Sequence, residues 1–550
     1  MRKKSFTKVL ATLMAVTIFA AGCGSGNGGG STSTPASDKS AANTAAESDG
    51  GTGSEEREME GNLYLTGLPI VKEKETITIL IDSTGDPDNM ELFKMFEEQT
   101  NVHVEWLVYP NDIATEKKNL MYSSGDYPDA VGGWLLKDID INQYALNDDV
   151  FVEVGDLIDK YAPRITEVFD NFPGARSSIT APDGNIYTIP LIGPQAGTRF
   201  VMHINQEWLD TLNLDMPKDT EELYEVLKAF KEKDPNGNGK ADEIPFSTVG
   251  ANIGRIYGWF GLPDETIHIQ MQDGQPVFTA GTEGFKNATK YFARLFDEGL
   301  LDLELFTHDA AQYNAKGKTE DALYGVFEDW SGPTVVGTDR YNEMYTALPV
   351  LPSPDCDNPT YRQGDSWVFR TQFAITSAAG NPATIIRWLD FLYEEDNSLQ
   401  VYMGKYGVIY DRAEDGTITL IDPPEGETIE SMRNLSTISS LPLAIMPDIY
   451  NQLPKNVEEL NKNSIDALYA PYIVPERMPS YWLTAEESDA VSTIQTDLDK
   501  FVKDKRAAWI TGQSDIDAEW EDYLAQLDKL GLQKYMEVYT DAIMRSLASE

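Results

Sequence analysis

Cysteine is almost absent from this chain: its 550 residues contain two, Cys23 and Cys356. A disulfide framework is thereby excluded, and stability has to come from packing. Histidine is nearly as scarce, and His103, His203, His268 and His308 are scattered without metal-ligand spacing. They supply little material for a zinc centre or a catalytic triad, and neither Gly-x-Ser-x-Gly nor His-Glu-x-x-His occurs. Positive charge is in deficit, with 44 Lys and Arg against 90 Asp and Glu and a formal charge of −46. That balance sets aside nucleic acid and anionic lipid as direct partners and fits a solvated acidic surface. Long apolar runs are missing too. Val9 to Ala20 is the longest, and it falls short of the roughly 18 to 20 residues a bilayer crossing needs. No internal repeat or heptad run is present.

That short apolar run is nevertheless informative. Arg2, Lys3, Lys4 and Lys8 precede it without an acid, and Ala21-Gly22 closes it before Cys23. This is the layout of a secretory signal, residues 1–22. The small pair before Cys23 resembles a bacterial lipobox, with Ala20 where leucine is usual. The resemblance implies that Cys23 is lipidated with fatty acyl chains such as palmitate, becomes the mature N-terminus and anchors the protein on the extracellular face of the bacterial cell membrane. Residues 24 to about 60 are Gly, Ser, Thr, Ala and Asp with almost nothing apolar, so the stretch 23–61 reads as a lipidated cysteine and flexible tether.

The body that follows, 62–550, is long enough for two domains. Glu75 to Ile81 alternates and then runs apolar as a strand; Leu92, Phe93, Met95 and Phe96 follow at helical spacing; Val102 to Val108 alternates again. Strand, helix and strand in that order indicate a parallel α/β layer. Asn381-Pro382 reads as an N-cap and first helical position, with Ile385, Trp388, Leu389 and Leu392 on the buried face. Two further amphipathic helices, 518–527 and 535–547, are joined through Gly531-Leu532.

One loop carries coordination chemistry. In residues 234–243, Asp234, Asn236, Asn238 and Asp242 occupy the first, third, fifth and ninth positions, with Gly239 at the sixth and the Lys240 carbonyl at the seventh. Alternate oxygen ligands around a glycine turn are how an EF-hand-type loop wraps calcium. The twelfth position is Pro245 rather than glutamate, and Glu243 is the natural replacement. Oxygen ligands without His or Cys favour structural Ca²⁺ over transition metals. An Asx- and Gly-rich turn without metal is the plainer alternative.

Several stretches together resemble the family 1 extracellular solute-binding lipoproteins of carbohydrate ABC importers, including their calcium-containing alginate-oligosaccharide-binding members. They are 202–217 from Met202-His203-Ile204-Asn205 onward, Thr220-Glu221-Glu222-Leu223 with the loop after it, Ser124 to Asp129, Arg387 to Tyr393 with Tyr406-Gly407-Val408, and Trp509-Ile510-Thr511-Gly512. The resemblance implies an α/β, periplasmic-binding-protein-like fold of class II, with two discontinuous lobes joined by a hinge. On that pattern lobe 1 comprises 62–190 and 372–430, and lobe 2 comprises 191–371 and 431–550. It further implies a monomeric receptor that captures an oligosaccharide or related polar solute between its lobes, delivers it to ABC transporter permease subunits and performs no chemistry.

Sugars present apolar C–H faces and rings of hydroxyls, so their sites combine flat rings with polar side chains. Trp134 after Gly132-Gly133, Trp259 in Tyr257 to Gly261, Trp330 in Glu328 to Gly332 and Trp367 after Gly364-Asp365-Ser366 all lie outside helical periodicity. They are the candidate ring platforms, with core packing as the alternative for each. Asp329, Asp365 and Arg199 are candidate partners for hydroxyls. A tethered glycoside hydrolase would share this composition and needs two carboxylates about 5 to 10 Å apart. A calcium-stabilised adhesin would need β-rich repeats, which are absent.

Overall fold

The computed structural model describes residues 57–548 apart from 173, 194–199, 266, 362–366, 425–426, 456–463, 475 and 477. The expected signal, Cys23, most of the expected tether, Arg199 and Asp365 lie outside the described residues. The alternating and then apolar run at Glu75–Asp82 forms β1, whose Ile79, Leu80 and Ile81 are fully buried. Its sheet is completed by β2 (Val102–Tyr109), β3 (Ala130–Gly132), β4 (Ile189–Ile192) and, much later in the chain, β9 (Val368–Ile375). The order is β2-β1-β3-β9-β4, with β1 parallel to both neighbours and β9 antiparallel to β3 and β4. A second sheet is built from β5 (Val201–Asn205), β6 (Ile244–Ser247), β7 (Tyr324–Asp329) and β8 (Tyr345–Ala347), in the order β8-β5-β7-β6. Each sheet has its own hydrophobic core, giving two α/β lobes.

Helices cover the sheets. α1 (Glu91–Thr100) carries the chain back from β1 to β2 and buries Leu92, Phe93 and Phe96. α2 (Asn111–Ser124) follows β2. In the second lobe α3 (Thr220–Glu232) is capped by Asp219, which accepts from the Glu221 and Glu222 N–H groups, and α4 (Glu283–Asp297) follows. α5 (Pro382–Leu392) starts at its proline as the sequence predicts, but the Asn381 side chain turns to Thr384 and Glu75 instead of capping the helix. Trp388 is 1 % exposed and meets Trp106 edge-on at 6.3 Å, so it is a core residue of the first lobe. At the end, α6 (Ala485–Ile510), α7 (Ile516–Leu530) and α8 (Leu532–Leu547) pack on the second lobe. The tight turn between α7 and α8 rests on Gly531 at φ +102°. Among the described residues no helix is long and apolar enough to cross a membrane.

The chain passes between the sheets three times: between Ile192 and Val201, between Tyr361 and Val368, and between Leu453 and Tyr469. The boundaries expected at 190/191 and 371/372 therefore fall inside β4 and β9, where ladder pairs such as Val368 with Ile192 still belong to the first sheet. The boundary expected at 430/431 comes too early. Ile438, Leu441, Leu443, Ile445, Tyr450 and Leu453 are buried in the first core, and their apolar area keeps that segment with lobe 1. The last segment also touches back: Trp482 Nε1 donates to the Ser178 carbonyl at 3.1 Å, and the Arg370 guanidinium lies 4.0 Å from the Trp482 ring centroid.

Candidate functional site

In open α/β sheets ligands gather beyond the carboxyl ends of the strands, and there the sequence-predicted rings begin to appear. β1 ends in Asp82, β3 in Gly132, and Gly133 follows at φ +79°. A Cβ at Gly133 would lie 2.1 Å from Asp82 Oδ1, so this close approach requires glycine. Trp134 comes next, 41 % exposed, and meets Phe369 edge-on at 5.3 Å. Its backbone N–H donates to Asp82 Oδ1 at 2.8 Å, and Asn111 Nδ2 donates to Asp82 Oδ2 at 2.7 Å.

On the second sheet β7 ends at Asp329, whose carboxylate accepts from the Ser331 N–H at 3.0 Å. Trp330 beside it is half-buried and meets Phe200 edge-on at 5.5 Å. The Arg255 guanidinium lies 3.9 Å from the Phe200 centroid and binds Glu328 at 3.1 Å. Glu328 is fully buried; burial pushes its carboxyl above the ordinary range, against the opposing charge of Arg255. Trp367, where the chain returns to the first lobe, is half-buried and meets Tyr450 edge-on at 6.1 Å. Three predicted tryptophans thus pair with a second ring at a strand end or a crossing.

Trp259 is different. It is 0 % exposed within the core of the second lobe, and the neighbouring Gly258 packs so closely that a Cβ there would lie 2.2 Å from the Thr360 carbonyl oxygen. Its place is in packing, with no face open to a ligand. Sequence reasoning missed Asp82, Phe200 and Phe369. Only the glycine pair before Trp134 hinted that a backbone and a side chain come close there.

The loop 234–243 folds as an Asx-rich turn with Asp234 at φ +45°. Gly239 N–H donates to Asp234 Oδ2 at 3.0 Å, and the Asn236 and Asn238 side-chain amides donate to Asp242 Oδ1 at 3.2 and 3.1 Å. Asp234 Oδ1 and both Glu243 carboxylate oxygens are buried without a well-formed hydrogen bond, although the Glu243 and Asn236 N–H groups lie near the Glu243 carboxylate and partly offset its burial. Burial, followed by repulsion from Asp234 and Asp242, raises the Glu243 carboxyl above its ordinary range. Three orphaned carboxylate oxygens in one turn are a donor set that suits a hard cation. Asp321, from outside the loop, accepts from Asn238 Nδ2 at 2.9 Å and pairs with Lys240 at 3.0 Å. A second cluster, Asp302, Glu304 and His308, is already filled by a cation of the chain. Lys316 Nζ lies 3.1 Å from both Asp302 oxygens and 2.6 Å from Glu304.

One further ionic group underlies the second lobe. His268 Nδ1 is 2.8 Å from Asp264, Arg506 is 3.1 Å from the other Asp264 oxygen, and His268 Nε2 faces Asp499 at 3.5 Å. Burial opposes a proton on His268, but the charge and hydrogen bond of Asp264, with help from Asp499, outweigh it and push its pKa up to about 9. The group ties the 264–268 loop to α6 and is structural.

The profile of the bacterial extracellular solute-binding proteins matches residues 84–398. The fructooligosaccharide ABC transporter substrate-binding protein FusA of Streptococcus pneumoniae serotype 4 is 33 % identical over 564 residues, 98 % of each chain. The structure of FusA with kestose superposes with a TM-score of 0.79 at 32 % identity, covering 86 % of this chain and 100 % of that one. An EF-hand mutant of FusA with fructo-nystose gives the same values. The alginate-binding protein AlgQ2 without calcium ion superposes with a TM-score of 0.72 at 26 % identity, covering 88 % and 100 %. The chain belongs to the bacterial extracellular solute-binding proteins, receptors that bind their solute and do not transform it.

Proposed function

We propose that the chain is the lipid-anchored receptor of a carbohydrate importer, capturing a fructooligosaccharide between its two lobes and delivering it to an ABC transporter permease. The observation that carries this reading is the likeness to FusA along both full chains, supported by exposed Trp134 at the carboxyl end of the first sheet. Closure of two lobes on a ligand gives a permease a shape by which to tell loaded receptor from empty. Trp134, Trp330 and Trp367 serve as ring platforms. Asp329, together with Asp365 and Arg199 outside the described residues, serves the sugar hydroxyls. The expected signal, lipidated Cys23 and tether hold the receptor, as a monomer, at the outer face of the cell membrane.

Calcium belongs to this reading as a structural ion. Asp234, Asn236, Asn238, Asp242, Glu243 and the Lys240 carbonyl would hold it, and the orphaned oxygens of Asp234 and Glu243 support the fit. The ion supplies charge neutralisation and loop rigidity and takes no part in sugar recognition.

A thermal-shift panel tests the proposal: fructans such as kestose, alginate oligosaccharides and other oligosaccharides, each with and without calcium, followed by recovery of the sugar. The expected result is a higher melting temperature with fructans, which are recovered intact. Recovery of cleaved sugar would overturn the receptor reading, and a shift with alginate alone would overturn the ligand.

A further inference from the structure

Among the described residues Trp134 is the one large aromatic side chain that stands exposed, yet both polar groups of its backbone are held. Its N–H donates to Asp82 Oδ1, and its carbonyl accepts from Lys137 Nζ at 3.2 Å. The next carbonyl, of Leu135, accepts from Lys118 Nζ at 2.8 Å, and the Lys137 N–H donates to Asp140 Oδ2 at 2.8 Å. Lys118 and Asp140 are themselves an ion pair at 2.6 Å with side chains only 4 % and 8 % exposed. A buried ion pair is costly to desolvate, so it makes a poor stability device. Here both of its ends terminate on the backbone around one exposed indole. The other end of the brace is Asp82, 9 % exposed, with its second oxygen fixed by Asn111.

We propose that Asp82 is a positioning residue that preorganises Trp134 as the platform for a sugar ring, with Lys118 and Asp140 as a second brace behind it. The inference rests on the reading of the chain as an oligosaccharide receptor. A rigid platform loses no ordering entropy when the ring stacks on it, and that saving appears directly as affinity. Asp82 touches no sugar; it acts through the peptide N–H of Trp134 and by closing on Gly133, where a side chain would have no room.

The geometry allows a rescue experiment. In Asp82→Asn the Trp134 N–H faces a neutral amide oxygen in place of a carboxylate, and the exposed Asn111 amide can turn to accept from the new amide nitrogen, so what the variant removes is the charge. Adding Asn111→Asp returns a carboxylate to the pair, now accepting from the amide that holds the Trp134 N–H. Affinity for kestose is measured by calorimetry, and the protein, which has ten tryptophans, is labelled with 5-fluorotryptophan, the Trp134 line being assigned by Trp134→Phe. The expected result is binding weakened on the order of tenfold in Asp82→Asn, as loss of a bond to a charged acceptor implies. The Trp134 fluorine line alone should broaden, and both effects should revert in the double variant. Asn111→Ala, at an exposed position, should give the same changes in smaller degree and covers the case in which Asp82→Asn does not fold. Unchanged affinity and an unchanged line in the single variants, or no recovery in the swap, overturns the inference. If the wild type takes up no saccharide, the functional reading itself fails; if the wild type binds and Trp134→Ala binds equally well, only the present inference does.

Discussion

The 234–243 loop, proposed to hold calcium, offers the sharpest energetic test. Without an ion, Asp234 Oδ1 and the two Glu243 oxygens are buried and unpaired, and each unsatisfied acceptor costs about 1–3 kcal/mol. Burial first, then Asp234 and Asp242, make the Glu243 charge unfavourable. An ion that binds the folded loop removes these costs, and at a hundredfold excess over its Kd it stabilises by about 2.7 kcal/mol. For a lobe of this size each kcal/mol shifts the melting temperature by about 2–4 °C, so calcium should raise it by about 5–10 °C relative to chelator. Glu243→Gln keeps the shape and removes one carboxylate. The variant should melt no earlier than wild type in chelator, because a charge the site disfavours has been removed, while losing most of the calcium response. Differential scanning calorimetry with chelator and with calcium reads both quantities. A wild type that melts at one temperature in both buffers, or a Gln variant that keeps the full response, would refute the reasoning.

The His268 group makes stability fall in alkali. Its folded pKa of about 9 lies above the ordinary 6.5, so its contribution is complete below about pH 6.5 and is lost as pH rises through 9, by at most roughly 3 kcal/mol. Urea unfolding at pH 6, 8 and 10 should show the gap between wild type and His268→Gln shrinking as pH rises; a constant gap contradicts the assignment. Lys118→Met leaves Asp140 buried without its cation and should cost about 3–5 kcal/mol; a loss under about 1 kcal/mol by urea titration would remove the second brace from the account. Trp259→Phe should lower stability by roughly 1–3 kcal/mol through its packing void while leaving the Kd for kestose unchanged, whereas Trp134→Phe should move the Kd and leave the melting temperature nearly unmoved. Calorimetry with melting curves separates the two, and the reverse pattern would exchange their roles.

Much of the architecture was legible because local pattern and tertiary role agree. The alternation of Glu75 to Ile81 survives as β1, the Asn381-Pro382 start as the first turn of α5, and Gly531 as the hinge between α7 and α8. The Asx- and Gly-rich turn at 234–243 was legible for the same reason, since its spacing lies within ten residues. The lobe crossings were harder. Residues 438–453 carry no signal that assigns them to one lobe, and their place is decided by which core buries Leu441, Leu443 and Ile445. Trp259, expected in the site and found in the core, shows the same limit. A tryptophan between glycines reads alike whether the glycines free a loop or allow close packing, and at Gly258 the carbonyl of Thr360 decides for packing. Asp82 escaped notice because its role depends on a backbone N–H fifty-two positions away in sequence.

The most direct measurement is a calorimetric titration of the purified protein with kestose in calcium, with the sugar analysed afterwards. The account predicts one site per chain, saturable binding and sugar returned intact. Absence of heat with kestose and with every other oligosaccharide, or release of shorter sugars, would contradict it.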